Sequence, residues 1–361
     1  MSDSSSTSSE PRGLVLASGE RLVVERRRFG LGFWIVATLL VFSLAANWVL
    51  ASLFRSEEGQ LLRASLGTPT EQLVEGDGDA ERKIVVLDMK GTISPPFTKN
   101  WLRAIKRAAE DDAVAAVILA IDSPGGLVAD SHQIYTELKK LNKPVWVCFQ
   151  RIAASGGYYV AMGAGPDGRI YAEPTTWTGS IGVIIPRFEL VGLAEKLGIE
   201  SRPLQTGPLK DSLNPFKPLS DRQKEVWGEI LDDAFGRFVG VISENRPPLG
   251  DAGVRELATG QIYTANQAIE NGLVDRIGYL DEAIDDLRTE FDLAEASVVR
   301  YRAAPDLWEL VSLLSSERDP QARWAKLVEQ STPQAMYLFA GDDPVRLAFA
   351  AGKLLLSEQG E

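Results

Sequence analysis

The chain has 361 residues, enough for one sizeable domain or two modest ones, and 45% of them are hydrophobic and 24% charged, a globular composition. Lys and Arg total 38 against 50 Asp and Glu, a formal net charge of −12 that argues against a nucleic-acid partner. One cysteine, Cys148, rules out an internal disulfide and argues against a cysteine-held metal; one histidine, His132, means that any hydrolase here uses that residue or none.

Residues 1–25 begin with a run of serines too polar to build a core, and are expected to form a disordered cytoplasmic tail. Arg26, Arg27 and Arg28 then precede 26 uncharged residues, 29–54. At about 1.5 Å per residue that is roughly 39 Å of helix, enough to cross a ~30 Å hydrocarbon core with tilt. With the arginines inside, residues 26–54 read as a single transmembrane anchor that leaves everything after Phe54 outside the cell membrane. A cleaved signal peptide is the alternative, since Ala45-Ala46-Asn47 and Leu50-Ala51-Ser52 offer small residues, but the run exceeds the usual core of about 7–15 residues. Residues 55–82, polar and carrying Gly76-Asp-Gly-Asp79, are expected to be a linker.

A globular domain is expected over 83–290. Strands are predicted at 83–88 and 116–121, the second too uniformly apolar to have a wet side, with a helix over 100–111 between them. The loop Asp122-Ser-Pro-Gly-Gly126 follows, then a helix through Ile134, Leu138 and Leu141 and a buried strand at 145–149. Short strands are predicted at 169–172 and within 177–185, with a helix over 190–197. Ser220 and Asp221 are placed to cap a long helix to about Asn245. Strands alternating with helices predict an α/β fold with a mostly parallel sheet, whose sites gather where strands meet the following helices. Residues 291–361 read as a partly helical extension, with an amphipathic stretch at 345–356 too short to span a membrane.

One such junction carries chemistry. Ser155 stands between Ala153-Ala154 and Gly156-Gly157, after the 145–149 strand and before the helical Tyr158-Tyr-Val-Ala-Met162. A serine there has its hydroxyl near helix N–H groups, while the glycines allow close approach of a substrate backbone. The plain alternative is a tight turn with a capping serine. A serine nucleophile needs a base: His132, a carboxylate or a lysine. The neighbours Ser131 and Gln133 place His132 on a wet helix face, so it reads as a surface histidine. A lysine serves if burial brings its pKa from about 10.4 towards 7–8. Lys210 is the best placed, in a loop with Pro208, Leu209, Leu213, Pro215 and Phe216. Gly126 and Gly156 offer the two N–H groups of an oxyanion hole.

Five motifs in order resemble the signal peptide peptidase A family of membrane-anchored serine peptidases. They are Asp122-Ser-Pro-Gly-Gly126, Ala154-Ser-Gly-Gly-Tyr-Tyr159, Thr178-Gly-Ser-Ile-Gly-Val183, Lys210-Asp211 with Pro215, and Gly272-Leu-Val-Asp275. The resemblance implies a Clp protease/crotonase-like core of repeated ββα units. It also implies Ser155 as nucleophile, Lys210 as general base, Ser180 and Asp211 in support, and Gly126 with Gly156 as the oxyanion hole. It implies no cofactor or metal, peptide substrates such as signal-peptide remnants, and a periplasmic catalytic domain on the inner membrane. Ring-shaped oligomers with serine and lysine from neighbouring subunits are a further implication. Two other classes remain: a crotonase-like CoA enzyme, which would need positioned carboxylates, and a catalytically silent membrane scaffold, which would need none of these residues. Reaction with a serine-directed acylating probe separates them.

Overall fold

The computed structural model describes residues 31–55, 69–95, 97–302 and 336–338. The expected tail 1–25, the arginines 26–28 and the amphipathic stretch 345–356 lie outside these described residues. The chain divides into two units, Met1–Ser65 and Leu66–Glu361.

The described residues of the first unit form a helix, α1 (Leu31–Arg55), of 25 residues, about 37 Å at 1.5 Å per residue. Its described apolar side chains, among them Trp34, Leu39, Phe42 and Trp48, are exposed. Among the described residues no helix is long and apolar enough to cross a membrane.

Among the described residues the second unit is built on a nine-stranded sheet. Its main path places β1 (Thr70–Glu75), β10 (Ser297–Arg302), β2 (Lys83–Lys90), β3 (Val114–Ser123), β5 (Val145–Ala154), β6 (Ile170–Ala172) and β9 (Arg276–Ile277) side by side. From β10 to β9 every pairing is parallel; β1 closes one edge antiparallel to β10. Parallel strands need helical crossovers, and α2 (Phe97–Glu110) and α3 (Val128–Lys139) supply two of them. Alternate residues of β2, β3 and β5 feed two cores. Val85, Leu87, Val117, Leu119, Val147 and Phe149 pack on one face with Ile105, Ile134 and Phe238. Ile84, Val86, Ile118, Ala120, Trp146 and Cys148 pack on the other, where α9 (Leu280–Glu290) adds Ala283 and Leu287. A sheet covered on both faces explains why β3 is apolar from Val114 to Ile121.

The sheet reaches past residues 83–290 at both ends. β1 falls in the expected linker and β10 in the expected extension. β1, Thr-Glu-Gln-Leu-Val-Glu, is exposed along its whole length, so it carries no alternation to read and is held through its backbone pairing with β10. The long helix forms as expected: α6 (Asp221–Asn245) is opened by Ser220, which accepts from Gln223 N–H while the Gln223 side chain accepts from Ser220 N–H. The strand within 177–185 is shorter than expected, because β7 (Trp177–Gly179) stops at Ser180, whose φ of 50° breaks the extended run.

Candidate active site

β5 runs directly into α4 (Gly156–Ala161) through Ser155. Ser155 has φ 52° and ψ −114°, a conformation that a residue with a side chain adopts only under strain of about 1–3 kcal/mol. Two backbone bonds hold it there: Ser155 N–H donates to Gly179 O at 2.7 Å, and Tyr159 N–H donates to Ser155 O at 2.9 Å. The helix behind it is fixed by fully buried Tyr158, whose hydroxyl donates to Leu273 O at 2.8 Å. The neighbouring Gly157 is dictated by space, since a Cβ there would lie 2.9 Å from Ser123 O. Ser155 is buried, and its Oγ has no hydrogen-bond partner among the described residues. A strained, buried, unpartnered hydroxyl is costly for a turn or cap and apt for a nucleophile at a strand-to-helix elbow.

The second glycine loop is a strand in its own right, β4 (Gly125–Leu127), one edge of which is fastened to Ile93. Ile93 N–H donates to Gly125 O, and Leu127 N–H to Ile93 O, each at 2.8 Å. At Gly126 the backbones are so close that a Cβ would stand 2.0 Å from Ile93 O. The Gly126 N–H therefore points away from Ile93, by the alternation of a ladder. Gly156 opens α4, so its N–H has no intrahelical acceptor. Ser180 follows Gly179, the residue that accepts the Ser155 N–H; it is buried, and its own N–H donates to Gln261 O at 2.7 Å.

Two family models match the chain, the Clp protease family over residues 80–178 and peptidase family S49 over residues 137–294. Both matches span Ser155. A protein of Enterococcus faecium named as a signal peptide peptidase SppA is 38% identical over 298 residues, covering 75% of this chain and 85% of that protein. A protein of Synechocystis sp. named as a protease is 39% identical over 204 residues, 56% of this chain and 72% of that one. Protease 4 of Haemophilus influenzae is 34% identical over 215 residues, 56% of this chain but 34% of that longer protein. The chain belongs to peptidase family S49. It is a serine peptidase with a Clp protease-like α/β fold.

In this S49 peptidase the sequence-selected residues fall into two groups. Ser155, Gly156, Gly126 and Ser180 gather where β4, β5 and β7 end. Lys210 and Asp211, in the proline-rich loop before α6, make no hydrogen bond to them. Lys210 is exposed, and its side chain makes no hydrogen bond or ion pair with a described residue. Asp211 pairs with Lys217, Oδ2 to Nζ 2.6 Å, and this hydrogen bond holds its carboxyl below the usual range. Lys217 is thereby engaged, which leaves Lys210 as the unpaired cation of that loop among the described residues. The apolar surroundings expected for Lys210 are not buried within one chain, since Leu209 is 40% and Phe216 38% exposed.

His132 differs from its expected place on a wet helix face. Ser131 is buried, with its hydroxyl on Leu127 O, and His132 is half-buried with Nδ1 2.7 Å from the Tyr159 hydroxyl. Burial, with Arg237 nearby, lowers the imidazole pKa and favours its neutral form. That ring nitrogen serves the aromatic cluster of Tyr135, Tyr159 and Phe238, not Ser155. The sequence reading missed Ile93, which holds β4, and Ile184, whose N–H donates to Met336 O at 3.1 Å. They act through backbone groups, which leave no mark on residue type.

Proposed function

We propose that this chain is a membrane-anchored endopeptidase in which Ser155 is the nucleophile and Lys210 the general base. It cleaves membrane-associated peptides, such as signal-peptide remnants, outside the membrane. The Ser155 Oγ attacks the peptide carbonyl as neutral Lys210 takes its proton. The Gly126 and Gly156 N–H groups stabilise the tetrahedral oxyanion, and the Lys210 ammonium returns the proton to the leaving amine. Water, deprotonated by the same lysine, then releases the acyl-enzyme. Ser180, beside the Ser155 backbone, positions the lysine amine. The observation that carries this reading is Ser155 itself, strained in its backbone and buried, with a hydroxyl that has no partner among the described residues.

In this reading the lysine arrives from a neighbouring copy of the chain. Ser155 and Lys210 do not bond within one chain, and the segment around Lys210 exposes Phe188, Leu193, Leu197, Ile199 and Leu204. An apolar surface of that extent marks an interface. Packing against it would give Lys210 the dry surroundings that a base lysine requires.

Because the base acts as a neutral amine, cleavage of a fluorogenic peptide is expected to rise from about pH 7 into the alkaline range. A maximum below about pH 6 would overturn the lysine assignment. The membrane anchor is supported by the uncharged run 29–54 behind three arginines and by the unbroken helical backbone of α1. Chain recovered from washed membranes is expected to retain its N-terminal segment; a mature N-terminus near Ser52 would refute an uncleaved anchor.

A further inference from the structure

Arg187 lies on the segment that continues from β7 past the buried Ser180. Its side chain is only 14% exposed, and its buried Nε has no partner among the described residues. A guanidinium so far from water is costly unless hydrogen bonds and an opposite charge replace its hydration. The carboxylate beside it, Glu189 with Oε2 3.1 Å from Nη1, is itself 56% exposed. The other arm of the fork is spent on backbone: Nη2 donates to Lys217 O and, at 3.4 Å, to Asn214 O. Three residues on, Leu190 N–H donates to Pro215 O at 2.7 Å.

All three carbonyls belong to the proline-rich loop that carries Lys210. Pro215 and Pro218 have no N–H, so this end of the loop is short of donors of its own and takes them from residues 187–190. The other end is held by α6, where Gln223 Nε2 donates to Pro208 O at 3.4 Å and Trp227 Nε1 to the buried Ser212 Oγ at 2.9 Å. Between these anchors Lys210 N–H donates to Gly207 O at 3.2 Å, and Asn214 N–H to Asp211 O at 2.9 Å. The backbone of Lys210 is thus fixed from both sides, while its side chain bonds to no described residue.

We infer that Arg187 is a positioning residue for the general base: its guanidinium clamps the carbonyls of Asn214 and Lys217 and so fixes where Lys210 leaves the body of the chain. This inference rests on Lys210 being the base, as proposed above. A base must come within hydrogen-bond reach of the serine proton, and a misplacement of about 1 Å costs up to about 10²-fold in rate. Arg187 makes no hydrogen bond to Ser155, so it acts through the loop. Only a planar fork serves Glu189 with one arm and both carbonyls with the other; a lysine ammonium is a point charge without that geometry.

The test measures cleavage of a fluorogenic peptide by the full-length chain and its variants. Arg187→Ala is expected to lower kcat about 10–100-fold with KM unchanged. Added to Lys210→Ala it should cost nothing further, to within about twofold, because a loop without its base has nothing left to position. Arg187→Lys, which keeps the charge and loses the fork, should fall between the parent and Arg187→Ala, and it carries the same comparison if Arg187→Ala does not fold. A merely structural role would lower the melting temperature and leave kcat of the folded chain unchanged, or its loss would multiply with that of Lys210→Ala. Either result overturns the inference and leaves the peptidase reading intact. So does a raised KM at unchanged kcat, which would make Arg187 a substrate-binding residue. If Lys210→Ala keeps full activity, the base reading falls, and the inference falls with it.

Discussion

Ser155→Gly is expected to give a chain that is inactive yet more stable than its parent. At φ 52° and ψ −114°, Ser155 occupies the mirror image of the extended region, where glycine sits freely and serine is strained by about 1–3 kcal/mol. The substitution also removes a buried hydroxyl without a partner among the described residues. The added freedom of glycine in the unfolded chain offsets part of the gain, leaving a net stabilisation of about 1 kcal/mol. In a domain of this size that is a rise of roughly 2–4 °C in Tm. Peptide cleavage, in contrast, should fall by a factor of about 10⁴ or more, the scale of removing a nucleophile. Ser155→Ala should be equally inactive while keeping the backbone strain, so the stability gain should be larger for glycine than for alanine. Retained activity in either variant would remove Ser155 from the mechanism, and a lower Tm for Ser155→Gly would show that the elbow is not strained.

Lys210→Ala is expected to lose about 10²–10⁴-fold in kcat, the contribution of a general base. It should fold as the parent does, because the side chain is exposed and makes no bond with a described residue. The decisive measurement mixes it with Ser155→Ala under conditions that exchange subunits. In a head-to-tail ring each site would take its serine from one chain and its lysine from the next, so random mixing restores about a quarter of the sites. Recovery to that level fixes the site across a subunit boundary. A mixture as inactive as its parts, in a chain shown to exchange, would place both residues in one chain. Full activity of Lys210→Ala would end the lysine mechanism.

Both results depend on features of unequal legibility in the sequence. The strand-to-helix junction at Ser155 was readable, because an apolar strand, a serine among small residues and an aromatic helix start are all recorded in residue type. Its strain was not: a φ of 52° is imposed by Gly179 O on one side and the start of α4 on the other. For His132 the wet-face reading failed because Ser131, polar by type, is buried by bonding to the carbonyl four residues back. The polar edge strand β1 was unreadable for a related reason, since the backbone ladder that joins it to β10 leaves no mark on residue type.

What the sequence determined by itself is the α/β core, the two glycine loops at strand ends, the serine between them and the capping box of α6. Each is set by side-chain size, polarity or conformational freedom within a few neighbouring residues. What only the tertiary structure decided is the exposure of Lys210, which makes no bond to Ser155 within one chain, and the pairing of residues 336–338 with β4 at Gly126. Both arise between segments far apart in sequence. The pairing runs through backbone N–H and C=O groups that every residue but proline carries, so no choice of side chain announces it.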